Sequence, residues 1–267
     1  MTQSSHPHNA LDHPEVSAAI FHPRAQWTDP GAADELRPLI PVAPDVRIGA
    51  ACHLTAAHAV NILFFHGNGE IVADYDDIAP IYNRAGLNFL VADYRGYGLS
   101  NGHPTVSAML ADCHAILDYF LDFLKARGYA GPMVVMGRSL GSASALELAA
   151  TRNDVEGLII ESGFAFAAPL LRLLGVDVER FGFSETNGFG NIDKIGRCKR
   201  PTLIIHAEHD HIIPFSDGLA LFQAASGKDK QLLKIDGADH NDIFFRGADR
   251  YMQAIRDLAN RVSEVAQ

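Results

Sequence analysis

Apolar runs of strand length alternate with segments of helical periodicity along most of the chain. Seven runs have the length and composition of buried strands: VRIGAACHL, AVNILFF, LNFLVAD, MVVM, GLIIES, TLIIHAE and QLLKIDG. Strands that are apolar at nearly every position are covered on both faces, and helical segments separate most of these runs. The pattern therefore predicts an α/β fold with a mainly parallel sheet and helices on both of its faces.

The clearest helix begins at Val106, because apolar residues then recur at helical spacing as far as Leu124. Further helices are predicted over EIVADYDDIAPIYNRAG, SASALELAA, SDGLALFQAAS and ADRYMQAIRDLANRVSEV.

Two regions break the alternation of strands and helices. We expect residues 1–45, which are rich in proline and histidine, to be an N-terminal extension that wraps the surface and is partly disordered at its start. We expect residues 46–267 to form one domain with a lid insertion at about 162–200.

Composition and charge narrow the class of protein. The 267 residues are 48% hydrophobic and 20% charged, with a formal net charge of −10 and no apolar run approaching the length of a membrane span. No basic stripe suggests nucleic-acid binding. The start of the chain has neither a basic nor an apolar signal region, and Cys52, Cys113 and Cys198 are an odd number without CxxC spacing. We therefore expect a globular protein with free thiols in the cytoplasm.

The sequence GRSLG, residues 137–141, lies between the strand MVVM and the helix SASALELAA. This is the context in which G-x-S-x-G forms a nucleophile elbow, a tight turn that exposes a serine at the carboxyl edge of a sheet. A Cβ at Gly137 or Gly141 would press on the neighbouring helix or strand. The pattern predicts Ser139 as a nucleophile; the alternative is an ordinary strand-to-helix turn.

A serine nucleophile needs a base, and the base needs an orienting acid. In this topology the acid follows a late strand and the histidine follows the last one. Asp210 ends TLIIHAEHD and His240 lies in LLKIDGADHND, so both are in the required order. Glu161, at the end of GLIIES, is a rival for the acid; otherwise it lines the site or pairs with a nearby arginine.

The loop HGNGE follows the strand AVNILFF, from which an oxyanion hole takes one N–H. Asn68 is the expected donor there, and Leu140, the residue after the nucleophile, is the other. Gly67 and Gly69 would let the backbone approach a substrate closely. His66 is expected to brace the loop by hydrogen bonds. The alternative is a glycine turn that only caps the strand.

Five motifs together resemble a known family. HGNG, DYRGYGLSNGHPT, GRSLGS, PTLIIHAEHDHIIPFSDG and GADHND match, in order, the α/β-hydrolase superfamily, in the branch of Bem46-like serine hydrolases and α/β-hydrolase domain-containing proteins 13 and 17. The resemblance covers residues from about 60 to the C-terminus and implies the α/β-hydrolase fold, with an eight-stranded, mainly parallel sheet, and a triad of Ser139, Asp210 and His240. Some members are depalmitoylases with an N-terminal cysteine cluster, whereas no cysteine here precedes Cys52. Many relatives have alanine where this loop has Glu70.

The insertion is the candidate pocket for an acyl or leaving group. Its apolar residues have the spacing of one helical face, and they are Phe164, Phe166, Leu170, Leu171, Leu173 and Leu174. The alternative is an ordinary core stripe.

A metal site is a weaker interpretation. The segment HAEHDH places His206, Glu208, His209, Asp210 and His211 within six residues, but it lacks H-E-x-x-H, and Asp210 would already be engaged by His240. The sequence has no flavin or nicotinamide fingerprint. No metal or cofactor is expected.

The sequence thus predicts a serine hydrolase that cleaves a small-molecule carboxylic ester or thioester through an acyl-enzyme. A peptidase or amidase, an acyltransferase on the same residues, and a non-catalytic binding module with this fold remain as alternatives. We expect no nucleic-acid partner, no stable membrane insertion, and either a monomer or a homodimer.

Overall fold

The structure is a computed structural model that describes residues 10–26 and 34–265. Residues 1–9 and 27–33, which belong to the expected N-terminal extension, lie outside the described residues.

Eight strands form one sheet in the order β1-β2-β4-β3-β5-β6-β7-β8. The first two strands run antiparallel to their neighbours, and all other neighbouring pairs are parallel. The mainly parallel sheet predicted from the apolar runs is therefore confirmed. The strands are β1 (Leu39–Ala43), β2 (Val46–His53), β3 (Asn61–Phe65), β4 (Asn88–Ala92), β5 (Met133–Arg138), β6 (Gly157–Glu161), β7 (Thr202–Ala207) and β8 (Lys230–Ile235).

Helices cover both faces of the sheet. Side chains alternate along each strand, so Leu63 and Phe65 of β3 belong to one apolar cluster while Ile62 and Phe64 belong to the other. The helices are α1 (Pro14–Ile20), α2 (Ala79–Arg84), α3 (Val106–Ala126), α4 (Ser142–Thr151), α5 (Ala167–Leu173), α6 (Asn191–Arg197), α7 (Phe215–Ala224) and α8 (Ile243–Val265). None of the described helices combines the length and the apolar composition needed to cross a bilayer.

The helix predicted over EIVADYDDIAPIYNRAG is wrong as a single element. The segment forms a 3₁₀ turn, Val72–Tyr75, and then the short helix α2. Pro80 stands in the first turn of α2, where its missing N–H is tolerated; further inside a helix its ring would clash with the preceding turn. The proline therefore starts a new helix.

The two regions that break the alternation of strands and helices contain regular structure of their own. In the N-terminal region, α1 buries Val16 and Ile20 in the same core cluster as α3, and β1 extends the sheet. In the insertion, α5 is followed by a 3₁₀ turn, Glu185–Asn187, and by α6, which packs against α4 and α7. Both regions thus lie against the sheet domain.

Candidate active site

Ser139 lies on a strained turn between a buried strand and a helix. Strand β5 ends at Arg138, a 3₁₀ turn spans Ser139–Gly141, and α4 begins at Ser142. The backbone of Ser139 has a φ of 50°, a left-handed conformation that costs a residue with a Cβ on the order of 1–3 kcal/mol. The Ser142 hydroxyl donates a 2.6 Å hydrogen bond to the Ser139 carbonyl and so supports the turn.

The two glycines of GRSLG are required by close backbone approach. A Cβ on Gly137 would lie 2.2 Å from the carbonyl oxygen of Gly141, at the start of the helix. A Cβ on Gly141 would lie 2.0 Å from the carbonyl oxygen of Phe65, at the end of β3. The steric reason predicted for both glycines is confirmed.

Asp210 and His240 form a buried hydrogen-bonded pair beside this turn. His240 Nδ1 lies 2.7 Å from Asp210 Oδ2, and the N–H groups of Ile212 and Ile213 donate to Oδ1 at 3.0 and 2.8 Å. Burial by itself would raise the pKa of Asp210, but the hydrogen bond from His240 and the backbone donors outweigh it, so the pKa is lowered. Asp210 is therefore held as a carboxylate that is hydrogen-bonded to the imidazole.

A cavity of about 270 Å³ brings the candidate residues together. Ser139, His240, Asn68 and Leu140 all line it. Of the expected pocket residues, Phe164, Leu170 and Leu174 also line it, whereas Phe166, Gly67 and Gly69 are not among its described lining. The remaining lining residues are Ile20, His22, Glu70, Arg138, Ala167, Leu171, Phe189, Ile212 and Asn241.

The HGNGE loop is braced from inside by His66. Its Nδ1 lies 2.8 Å from the carbonyl oxygen of Gly67, and its Nε2 lies 3.2 Å from Asp93 Oδ1. Burial lowers the pKa of His66, but the carboxylate of Asp93 and the Gly67 carbonyl more than compensate, so the pKa is raised. His66 therefore supports the loop by hydrogen bonds, as predicted.

The N-terminal region holds the side chain of Asn68 from outside the loop. Asn68 Nδ2 donates to the Ile20 carbonyl at 2.7 Å, and Oδ1 accepts from the His22 N–H at 3.0 Å and from the Tyr97 hydroxyl at 2.7 Å. Sequence reasoning missed Ile20 and His22 because they belong to a region without clear periodicity.

Glu161 does not orient His240. Its Oε1 lies 3.2 Å from Arg138 Nε, and its Oε2 accepts a 2.5 Å hydrogen bond from the Tyr251 hydroxyl. Of the two interpretations left open for this carboxylate, the pairing with a nearby arginine is the one observed.

The histidine-rich segment after β7 does not assemble a metal-binding cluster. His206 is fully buried and its Nε2 donates to the Ile213 carbonyl at 2.8 Å; burial lowers its pKa, so it is neutral. Within residues 10–26 and 34–265, no three histidine, cysteine, aspartate or glutamate side chains are grouped to hold a metal ion.

Comparisons with known proteins identify the family of this chain. A family model described as serine aminopeptidase, S33, matches residues 56–178. The α/β-hydrolase domain-containing protein 17B of Homo sapiens is 31% identical over 209 residues, which span 75% of this chain and 66% of that protein. The chain belongs to the α/β-hydrolase superfamily. The 17C protein of Mus musculus is 31% identical over 194 residues, spanning 68% of this chain but only 54% of that relative.

Solved structures of α/β hydrolases share the fold. A monoacylglycerol lipase of Paleococcus ferrophilus has a TM-score of 0.63 at 21% identity and covers 81% of this chain and 99% of its own. Est1E of Butyrivibrio proteoclasticus, solved with ferulic acid, has a TM-score of 0.69 at 18% identity and covers 86% and 100%. The predicted α/β-hydrolase fold is thus confirmed.

Proposed function

We propose that this α/β hydrolase is a serine hydrolase that cleaves carboxylic esters or thioesters through an acyl-enzyme on Ser139. One observation carries the proposal: Ser139, on its strained turn, and His240, hydrogen-bonded to Asp210, open into the same cavity. The left-handed turn places Ser139 in the wall of the cavity that His240, hydrogen-bonded to a carboxylate, also lines, and this combination is the one that nucleophilic catalysis requires.

The proposed mechanism follows from the imidazole nitrogen of His240 that is free to accept a proton. Asp210 occupies Nδ1 of His240, so Nε2 accepts the Ser139 proton as the hydroxyl oxygen bonds to the carbonyl carbon. The N–H groups of Asn68 and Leu140 receive the developing oxyanion. His240 then gives the proton to the leaving oxygen or sulfur as its bond to carbon breaks. A water molecule, deprotonated by the same nitrogen, attacks the acyl-enzyme and releases the acid and free Ser139.

The cavity supports a short or medium acyl group. A cavity of about 150 Å³ can hold benzene, so about 270 Å³ has room for roughly ten carbon atoms. Its rim and walls include Phe164, Leu170, Leu171 and Leu174, which suit an apolar chain. Two structural neighbours, the monoacylglycerol lipase and the ferulic acid complex of Est1E, are consistent with acyl substrates.

The description of the matching family model makes an aminopeptidase the second candidate. An aminopeptidase binds the ammonium group of its substrate, and a carboxylate usually pairs with that charge. Glu70 is the one carboxylate in the described cavity lining, and its oxygens are already engaged by Arg138, by the Gly67 N–H at 2.7 Å and by the Tyr75 hydroxyl at 2.6 Å. The lining therefore favours an ester or thioester.

We also infer that the protein acts in a reducing compartment such as the cytoplasm. Cys52, Cys113 and Cys198 are free and buried, and burial raises the pKa of Cys52 to about 12, so none is poised to form a disulfide.

We further propose that residues 46–267 form the catalytic domain and that the preceding region supports its site, since Ile20 and His22 line the cavity.

The test combines active-site labelling with substrate profiling. The wild-type chain and Ser139→Ala are treated with a fluorophosphonate, then assayed on p-nitrophenyl esters and acyl-CoA thioesters of increasing chain length and on amino-acid p-nitroanilides. Ser144→Ala, a buried serine of α4 outside the cavity lining, is the matched control. We expect labelling and acyl hydrolysis in wild type and control, and neither in Ser139→Ala. Labelling that survives in Ser139→Ala refutes the nucleophile; turnover of p-nitroanilides alone favours the peptidase.

A further inference from the structure

The arginine of GRSLG, Arg138, immediately precedes Ser139, and its largely buried side chain, 11% exposed, reaches three other segments. Its Nη1 pairs with Oε1 of Glu70 in the HGNGE loop, and its Nε lies 3.2 Å from Oε1 of Glu161 at the end of β6. Its Nη2 donates a 2.8 Å hydrogen bond to the backbone carbonyl of His240. The guanidinium at the nucleophile turn thus contacts the HGNGE loop, the end of strand β6 and the loop that carries His240.

The carboxylates that hold Arg138 are themselves fixed at their second oxygens. Glu70 Oε2 accepts from the Gly67 N–H at 2.7 Å and from the Tyr75 hydroxyl at 2.6 Å. Glu161 Oε2 accepts from the Tyr251 hydroxyl at 2.5 Å. A displacement of the guanidinium is therefore transmitted to Gly67, the residue before Asn68, through Glu70.

The charges of Arg138, Glu70 and Glu161 stabilise one another. Burial raises the pKa of Glu161, and although burial also opposes the ionisation of Glu70, the adjacent Arg138 lowers the pKa of Glu70. The two carboxylates raise the pKa of Arg138 in turn, so its charge is permanent. A planar guanidinium presents its donors in fixed, diverging directions and so reaches two carboxylates and a carbonyl that lie on different segments, which the compact ammonium of a lysine would reach less well.

We propose that Arg138 is a positioning residue that fixes the positions of His240 and of the HGNGE loop relative to Ser139. The inference rests on the proposed function and names a residue that acts through the backbones of His240 and Gly67. Catalytic geometry tolerates little displacement, because a misplacement of about 1 Å can reduce a rate about 10²-fold. The arginine should therefore affect turnover far more than substrate binding.

The chain provides a matched control for an arginine that only stabilises the fold. Arg152 also joins two carboxylates, Asp118 at 2.6 Å and Asp154 at 2.5 Å, but it lies at the end of α4 and outside the described cavity lining. Its Lys and Met variants alter a two-carboxylate ion pair that is more exposed than that of Arg138 and lies away from the site.

The experiment compares Arg138→Lys, Arg138→Met and Glu70→Gln with Arg152→Lys and Arg152→Met in the full chain. For each, kcat and KM are measured on the p-nitrophenyl ester that wild type hydrolyses best, and the melting temperature is recorded. Titration with fluorophosphonate counts competent Ser139 sites, so kcat is expressed per folded active site. If Arg138→Met fails to fold, the kcat of Arg138→Lys decides the question.

We expect kcat to fall about 10- to 10²-fold in Arg138→Lys and about 10³-fold in Arg138→Met, with KM within about twofold of wild type. The Arg152 variants should lower only the melting temperature. Wild-type kcat per site in Arg138→Lys, or losses in kcat that the Arg152 variants share, would overturn the positioning role. Absence of Ser139 labelling in the wild-type chain would instead refute the proposed function itself.

Discussion

His240 Nδ1 lies 2.7 Å from Asp210 Oδ2, and both side chains are buried. The two residues come from the loops after β8 and β7, which are adjacent parallel strands, so their carboxyl ends bring the loops together. This hydrogen bond leaves Nε2 as the only imidazole nitrogen available to a substrate or to Ser139.

Replacement of Asp210 should reduce turnover without changing the fold. In Asp210→Asn the amide can no longer hold the productive tautomer of His240, and we expect kcat to fall about 10⁴-fold. Steady-state kinetics on a p-nitrophenyl ester measures the effect. Glu161→Gln is the comparison, since its carboxylate contacts Arg138 and Tyr251. If the larger loss follows Glu161→Gln, Asp210 is not the orienting acid.

Gly141→Ala should destabilise the protein through a backbone clash. The new Cβ would lie 2.0 Å from the Phe65 carbonyl oxygen, which cannot move without displacing the end of β3, so we expect a loss of about 3 kcal/mol in the free energy of unfolding. Gly196→Ala in α6 is the control. Its Cβ would meet only the Ala224 carbonyl, at 3.7 Å, and should raise stability by about 0.5 kcal/mol. Urea unfolding compares them, and equal effects would contradict the steric argument.

His66 should make the stability of the fold depend on pH. Its pKa is raised above 6.5 in the folded state, so its stabilising contribution is complete below pH 6.5 and is lost as the pH rises through the folded-state pKa. Unfolding of wild type and His66→Gln between pH 6 and 9 should therefore show a stability difference that shrinks as the pH rises. A difference independent of pH would mean that the pKa of His66 is the same in the folded and unfolded protein, and a difference that grows with pH would mean that it is lowered by folding.

Leu174 should influence the choice of acyl chain, whereas its neighbour should not. Leu174 lines the cavity, but Leu173 is 61% exposed and outside the described lining. Leu174→Ala removes about 1 kcal/mol of apolar contact, so KM for the longest ester accepted should rise about fivefold. Leu173→Ala serves as the control in the same chain-length series. Identical profiles for both variants would show that the acyl group does not reach this end of α5.

Long periodic segments were predicted well and short ones were not. The helix from Val106 matches α3, because its apolar positions sustain one face over many turns. Of the three helices with only seven residues, α1, α5 and α6, α5 alone coincides with a segment whose helical spacing was noted, residues 164–174; α1 and α6 are too short for a helical period to be recognised in a single sequence. Their identity as helices depends on packing against the sheet.

Some residues of the site were predictable from the sequence and others were not. Ser139, Asp210 and His240 were predicted from motif order, because each stands where a strand ends. Arg138 and Glu70 carried no such signal. Their pairing joins positions 68 residues apart, and the sequence contains nothing that relates them.

By itself, the sequence determined the local chemistry of this protein. The alternation of apolar runs specifies a parallel sheet, and Gly137 and Gly141 permit a turn that no larger residue allows, because strand burial and backbone clashes act over a few residues. Only the tertiary structure decided that Asp210 and not Glu161 contacts His240, that Glu161 pairs with Arg138, and that Ile20 and His22 support Asn68. These contacts depend on which loops converge at one edge of the sheet, and that convergence is a property of the packed chain.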